Sequence, residues 1–363
     1  MTKKIFLAAT SQNEGKTTVS LGLIANLKSS FKNIGFIKPI GQRYLEEEGQ
    51  KIDEDSILIE EVFGFKEAIK DMSPIAVERG FTEKYINDPD KEELTCRIKD
   101  SFLRISKDKD FVVVEGTGHA GVGSVFDHSN AVVARLLDAG VILVSSGGIG
   151  KPIDEILLNK ALFDKEGVKL IGVVINKVIP EKFNKIDKLI RRGLERFGIN
   201  VLGAIPYNPV LSAPSIYQIL DETRYKLIWG EKLDNLIEEI VVGAMAPRDA
   251  LKFFKDKNSL LITPGDRRDL ILTALKLAKS KKTKFSLSGI ILTGGILPDK
   301  NTIKKIKRLN IPVILTDSDT YKTSSTIHDL TVKVRPKDKE KIDLIIKMVG
   351  ANLNLKEIID GCS

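Results

Sequence analysis

The stretch that decides the fold is Ile5-Phe-Leu-Ala-Ala9-Thr10-Ser-Gln-Asn-Glu-Gly15-Lys16-Thr17-Thr18, followed by the apolar-rich segment Val19–Leu27. The unbroken apolar run before Thr10 reads as a strand buried on both faces, and the segment after Thr18 reads as a helix. A phosphate group needs unpaired backbone N–H groups at a helix N-terminus. Gly15 lets the backbone turn closely, Lys16 balances the terminal phosphates, and the Thr17 hydroxyl can sit on Mg²⁺. Thr10 stands where this kind of loop usually has its first glycine. A bare Gly-Lys-Thr is common by chance, but a strand before it and a helix after it are the context the chemistry requires. The loop is therefore read as binding ATP with Mg²⁺, through Asn13, Glu14, Gly15, Lys16, Thr17 and Thr18.

Outward from the loop, similar apolar runs recur at Ile34–Ile37, Phe111–Val114, Val141–Val144, Leu170–Ile175 and Val201–Ile205. The second half repeats the style at Leu260–Thr263, Gly289–Thr293 and Val313–Thr316, with helical stretches such as Asp269–Lys279 and Asn301–Arg308. Runs of this kind alternating with amphipathic stretches imply α/β architecture built on parallel sheets with helices on both faces. The strand–helix rhythm pauses in Asp221–Asp234, which places the expected boundary between a domain at 1–225 and a smaller one at 236–363.

A length of 363 residues fits two domains, and 42% hydrophobic with 29% charged residues is a globular balance rather than a low-complexity one. No apolar run reaches the ~18–20 residues that a membrane span needs. Met1-Thr-Lys-Lys leads into a run too short for a signal peptide. Two cysteines, Cys96 and Cys362, exclude a disulfide framework and a cysteine-rich zinc site, so the expected location is the cytoplasm.

The net charge of +8 invites a nucleic-acid reading, but it is unevenly spread. Residues 1–225 carry 31 Lys and Arg against 32 Asp and Glu, while residues 226–363 carry 26 against 17. Lys outnumbers Arg roughly threefold, a bias of heat-adapted proteins. The basic runs Lys276–Lys284 and Lys304–Arg308 lie on helical segments where acids are sparse and stacking aromatics are absent. Nucleic-acid grooves interleave aromatics with basic residues, so these runs read as solvated lysine faces. His119 lies close enough to the Glu115 strand end to be of interest, but it reads as a turn histidine, as do His128 and His328.

Further residues fall where an open α/β sheet gathers ligands, at the C-terminal ends of its strands. Lys38 closes the second strand in Ile37-Lys38-Pro39, Asp55 follows seventeen residues later, and Glu115 ends a strand before Gly116. Asn176 ends the strand Gly172-Val-Val-Ile-Asn176. Each alone is an ordinary surface, helix-start or turn residue.

Together with the loop, these positions resemble the dethiobiotin-synthetase-like P-loop proteins, most closely the version that forms the N-terminal domain of some phosphate acetyltransferases. The resemblance also draws on Gly203-Ala-Ile-Pro206 running on to Leu211-Ser-Ala-Pro214. It implies Lys16 on the β- and γ-phosphates, Thr17, Asp55 and Glu115 around Mg²⁺, and Asn176 near adenine. It further implies that Lys38 faces the acyl or carbamate end of a substrate, with Lys16, Lys38 and Glu115 as the catalytic set. The chain departs from the biotin-pathway members at Ile40-Gly41-Gln42-Arg43 and Thr117-Gly-His-Ala120. Cobyrinate amidases add a glutaminase with a nucleophilic Cys, whereas the second half here offers only Cys362 and His328. The early lysine of the partitioning ATPases is replaced by Ser11-Gln12.

In the second half three strands end in polar clusters: Pro264-Gly265-Asp266-Arg267, Thr293-Gly294-Gly295, and Thr316-Asp317-Ser318-Asp319. The pattern resembles the DRTGG domain, which implies a regulatory or dimerising role. A ligand edge built from Asp266, Arg267, Thr293, Gly294, Gly295 and Asp319 is one reading, and ordinary turn chemistry is the other. Two functions follow. The chain either transfers the γ-phosphate of ATP to a carboxylate or carbamate, or it is a regulatory nucleotide-binding protein with weak or no turnover. The expected partners are the nucleotide, a small carboxylate or acyl metabolite, a second copy of the chain and an acetyltransferase-related protein; nucleic acid and membrane are not expected.

Overall fold

The computed structural model describes residues 2–47, 49–280 and 283–362. The chain divides into two compact units, Met1–Tyr207 with Val334–Ser363, and Asn208–Lys333. This differs from the expected division in two ways. The proposed boundary segment Asp221–Asp234 contains a strand of the second unit's sheet, and the last thirty residues return to the first unit. On the observed division the second unit carries 21 Lys and Arg against 14 Asp and Glu, so it still holds nearly all the basic excess. Lys276, Lys279, Lys304, Lys305 and Lys307 are exposed, as a solvated lysine face requires. Lys281 and Lys282 of the first basic run lie outside the described residues.

In the first unit β1 (Lys3–Ala9) and β2 (Ile34–Ile37) are followed by four short strands. These are β3 (Ile40–Gly41), β4 (Tyr44–Glu47), β5 (Gln50–Asp53) and β6 (Ile75–Ala76); β3 pairs with β6, and β4 with β5 as an antiparallel hairpin. β7 (Phe111–Glu115), β8 (Gly140–Ser146), β9 (Leu170–Val178) and β10 (Val201–Pro206) complete a parallel sheet of order β10-β9-β8-β1-β7-β2. All six runs read as strands in this part of the sequence lie in this sheet. Every residue of β7 is buried, which requires cover on both faces.

The strand order reverses at β1, between β7 and β8. Such a switch point opens a crevice at the C-terminal strand ends, and here the loop after β1 enters it. The helix Lys16–Leu27 is buried almost all round, with Val19, Leu21, Leu23, Ile24 and Leu27 fully inaccessible. Its Gly22 faces Val349 of the returning helix Lys339–Asn352, where an added Cβ would overlap the valine side chain. Asn26 Nδ2 donates to the Ile346 carbonyl at 3.0 Å and fixes the same approach. Glycine is a poor helix former, but it lets two backbones come this close.

The second unit forms one five-stranded sheet, β11-β15-β14-β13-β12. Its strands are β11 (Lys226–Trp229), β12 (Glu239–Val242), β13 (Asn258–Pro264), β14 (Ser286–Thr293) and β15 (Val313–Leu315), with β11 antiparallel at one edge. Alternation along β13 sends Leu261 into one core with Leu270, Ile271 and Ile306, and Leu260 and Ile262 into another with Ile216, Ile219 and Ile327. Helices therefore cover both faces. No helix among the described residues is long and apolar enough to cross a membrane.

Candidate functional site

The loop after β1 starts the helix at Gly15, whose φ of 88° lies in the left-handed region. A Cβ there would overlap the Asn176 amide, so position 15 needs glycine on two counts. Asn176 is buried at the end of β9, and its Nδ2 donates to the Glu14 carbonyl at 2.8 Å. Lys177 Nζ donates to the Asn13 carbonyl at 2.5 Å. The two adjacent residues thus tie down two consecutive loop carbonyls. Burial pushes the Glu14 carboxyl up, against the opposing pull of Lys177. Thr10 is held from below, its Oγ1 donating to Ser145 Oγ at 3.2 Å and its carbonyl accepting from Asn159 Nδ2 at 3.2 Å.

Lys16, Thr17 and Thr18 occupy the first helical turn, which projects Lys16 and Thr17 toward the end of β7. There Glu115 is fully buried and accepts from Thr17 Oγ1 at 3.0 Å and from Ser20 Oγ at 2.6 Å. Ser20 lies three residues after Thr17 and so shares its helix face. Burial, reinforced by the negative charge of Asp55, pushes the Glu115 carboxyl up to about 6. Burial also lowers Lys16, though Glu115 pulls the other way.

Lys38 and Asp55 complete the cluster. The Lys38 ammonium pairs with Asp55 Oδ2, lies 2.8 Å from Asp53 Oδ1 and 3.9 Å from Glu115 Oε1. Burial alone would lower its pKa, but Asp55, Asp53 and Glu115 together outweigh that and hold it well above the ordinary lysine value. Asp53 caps the helix Glu54–Phe63 by accepting from the Asp55 N–H at 3.0 Å. Its other oxygen, Oδ2, is buried with no hydrogen-bond partner among the described residues. Burial raises the Asp53 carboxyl, and Lys38 opposes the shift. Gly41 makes room for this side chain, since a Cβ there would press into it.

The structure thus brings Lys16, Thr17, Lys38, Asp55 and Glu115 into one buried cluster and places Asn13, Glu14, Gly15, Thr18 and Asn176 along the loop. Sequence reading passed over Asp53 and Ser20. An Asp directly before a helix is an N-cap signal that could have found the first. It also missed Asn130, which accepts from the Thr117 N–H at 3.1 Å and donates to the Thr117 and His119 carbonyls at 2.7 Å. That side chain shapes the turn after Glu115. His119 is exposed, with its Nδ1 accepting from the Gly121 N–H at 3.2 Å.

In the second unit the three polar clusters meet along one sheet edge. Pro264 is in register with Thr293, and the Gly294 and Gly295 N–H groups donate to the Ser318 and Thr316 carbonyls at 2.8 and 2.9 Å. Arg267 donates to the Gly243 and Met245 carbonyls at 3.1 and 2.8 Å and pairs with Asp269. Asp319 accepts from the Lys322 N–H at 2.9 Å as a helix cap, and Thr293 Oγ1 lies 2.8 Å from Thr320 Oγ1. Asp266 carries its carbonyl to the Arg268 N–H at 2.7 Å. Most of these groups serve turns, caps and strand-end ties. Thr263 Oγ1, buried at the same edge, has no partner among the described residues.

Residues 3–215 match an AAA domain, and residues 218–330 match the DRTGG domain. A phosphate acetyltransferase of Synechocystis is 29% identical over 370 residues, covering 99% of this chain and 52% of that protein. One from Nitratidesulfovibrio vulgaris is 26% identical over 370 residues, covering 99% and 51%. The chain therefore spans about half the length of the curated relatives it matches. Among solved structures, the MinC:MinD cell division complex of Aquifex aeolicus aligns with a TM-score of 0.37 at 15% identity, over 58% of this chain and 83% of that one. The CBS and DRTGG domains of the Clostridium perfringens pyrophosphatase, complexed with diadenosine tetraphosphate, align at 0.26 and 17%, over 44% and 81%.

Proposed function

We propose that nucleotide binding is the function of this chain, which belongs to the AAA-domain family and joins a dethiobiotin-synthetase-like P-loop unit, as in phosphate acetyltransferases, to a DRTGG domain. The ligand is Mg·ATP. The observation that carries the reading is the hydrogen bond from Thr17 to Glu115 at the mouth of a loop held open by Asn176 and Lys177. Gly15 and the first helical turn present N–H groups to the phosphates, and Lys16 meets their charge.

The donor set also suits the metal. Mg²⁺ takes oxygen ligands, commonly one or two carboxylates together with substrate phosphates. Thr17, Asp55 and Glu115 would hold it, and the unpartnered Asp53 oxygen leaves the cluster one acceptor in excess. When bound, the ion supplies positive charge against the β- and γ-phosphates.

Of the two functions weighed from the sequence, the arrangement around Lys38 favours the regulatory one. A substrate carboxylate would have to draw the Lys38 ammonium away from Asp53 and Asp55, both within ion-pair distance. The chain is accordingly a nucleotide-responsive protein whose DRTGG unit relays the signal to a second copy or to an acetyltransferase-related partner. The carboxylate-phosphorylating reading keeps one specific support, which is that Lys38 lies 3.9 Å from Glu115, one of the acids that would hold the metal.

The test is an ATP titration with Mg²⁺ on the wild-type chain and Lys16→Ala. Binding at least tenfold weaker in the variant, about 1.4 kcal/mol, is expected. Superimposable curves would remove the nucleotide site. ADP release measured with and without small carboxylates then separates the readings: carboxylate-stimulated turnover supports phosphoryl transfer, and its absence supports regulation.

A further inference from the structure

Between the β4–β5 hairpin and the helix Lys91–Ser106 lies a cavity of about 730 Å³. The size is that of a small-molecule site. Five cations line it: Lys51, Lys70, Lys84, Arg97 and Arg104. Three acids stand against them: Asp71, Glu78 and Asp100. Cations thus outnumber acids in the lining, within a unit whose 36 Lys and Arg nearly balance 35 Asp and Glu.

Several of these groups are already committed. Arg104 Nε and Nη2 donate to the two oxygens of buried Asp71 at 3.0 and 2.8 Å, and Lys51 pairs with Glu78. Arg97 Nη2 donates to the Pro74 carbonyl at 2.6 Å. Lys70 and Lys84 form no ion pair among the described residues. Arg97 Nη1 also lies 3.6 Å from Glu93 Oε1, so Lys70 and Lys84 stand against Asp100 alone and are the cations left to meet a ligand, while the arginines hold the wall in shape. Ile52, Ile75 and Phe81 add an apolar part to the lining.

We propose that this cavity binds a small organic anion, a carboxylate or acyl phosphate with a short apolar stem, at a site separate from the nucleotide loop. Lys70 and Lys84 meet the anionic oxygens, and the apolar lining takes the carbon stem. An inorganic anion would gain only the first of these contacts. The cavity also shares a wall with the nucleotide cluster. Lining residue Ser73 accepts from the Asp53 N–H at 2.9 Å, and neighbouring Met72 accepts from the Lys38 N–H at 2.8 Å. An occupant that shifts this segment acts directly on the backbone of the two residues forming the central ion pair.

Isothermal titration of the whole chain with succinate, acetyl phosphate and, as the inorganic control, sulfate tests this at constant ionic strength. At least one organic anion is expected to bind, and at least tenfold more tightly than sulfate. Lys70→Ala/Lys84→Ala should weaken that binding tenfold or more while keeping ATP binding, and Lys70→Arg/Lys84→Arg should retain it. Lys16→Ala should lose ATP binding and keep the organic anion. Succinate alone binding assigns a carboxylate site, and acetyl phosphate alone an acyl phosphate site. Overturning results are no heat from either organic anion, sulfate binding equally well, unchanged affinity in the double alanine variant, or loss of the anion in Lys16→Ala. The last would place the anion in the nucleotide loop, so failure here and failure of the nucleotide assignment are told apart.

Discussion

Lys38 Nζ lies 2.8 Å from Asp53 Oδ1, while the second oxygen of the same buried carboxylate has no hydrogen-bond partner among the described residues. Lys38 is the cation that holds Asp53, Asp55 and Glu115 together below solvent. Removing one partner of a buried ion pair typically costs about 3–5 kcal/mol, because the remaining charges are left uncompensated. Lys38→Met is therefore expected to lose that much stability in urea unfolding at pH 7. Asp53→Asn should lose far less, since it removes the acid with the unpartnered oxygen and keeps an oxygen to cap the helix. Equal losses in the two variants would contradict a lysine-centred cluster.

Glu115 gives a pH signature. Its carboxyl is pushed up to about 6 from an ordinary 4.5, first by burial and then by Asp55. A folded-state value above the unfolded one means that the native state holds the proton more tightly. The stability this gives is fully present below pH 4.5 and is lost as pH rises through about 6. The shift corresponds to roughly 2 kcal/mol. Glu115→Gln is permanently neutral, so it should be the more stable protein at pH 7, with the advantage shrinking toward pH 4.5. The same variant should still bind ATP but lose any hydrolysis, because the charge proposed to face the metal is gone. Parallel stability profiles for the two proteins between pH 4.5 and 7 would exclude a raised Glu115, and unchanged turnover would take it out of the site.

How far the sequence carried this site follows from where each signal lives. Gly15, Lys16 and Thr17 are readable because the loop's chemistry and its flanking strand and helix are contiguous in the chain. Glu115 and Asn176 are readable because they end apolar strands, and parallel strands deliver their ends to one edge. Asp53 is harder, since Asp53-Glu54-Asp55 offers three acids and only the cap geometry shows that Asp53 turns inward beside Asp55. The six strands of the first sheet are continuous apolar runs, whereas β11 and β12 are four residues each, with Trp229 and Ile240 only partly buried. Short, half-buried edge strands give little periodicity to read. The return of 334–363 to the first unit depends on Gly22 and Val349, two positions far apart in the chain whose fit no local pattern records.

The loop itself should prove sensitive to a single methyl group. Gly15 combines a φ of 88° with close approach to the Asn176 amide. Gly15→Ala is expected to destabilise by about 1–3 kcal/mol from backbone strain alone and to weaken ATP binding tenfold or more. Asn176→Ala removes the tether to the Glu14 carbonyl but opens space beside position 15. The double variant should therefore bind ATP better than the sum of the single losses implies, as contacting residues are not additive. Strict additivity in a four-protein titration would show that Asn176 and Gly15 do not meet.

The division of the chain can be tested with fragments. A piece spanning 236–363 lacks β11 and the helix Ile216–Thr223, which supplies Ile216 and Ile219 to one core of the second sheet. It also carries the helix Lys339–Asn352 without the helix Lys16–Leu27 that buries Val349. Large buried aliphatics missing from a core cost about 2–5 kcal/mol each, enough to unfold a small domain. The fragment 208–333 keeps all five strands and both cores. It is expected to unfold cooperatively in urea and to give dispersed amide NMR signals, whereas 236–363 should show neither. If 236–363 folds and 208–333 does not, the terminal helices belong with the second sheet and the observed division is wrong.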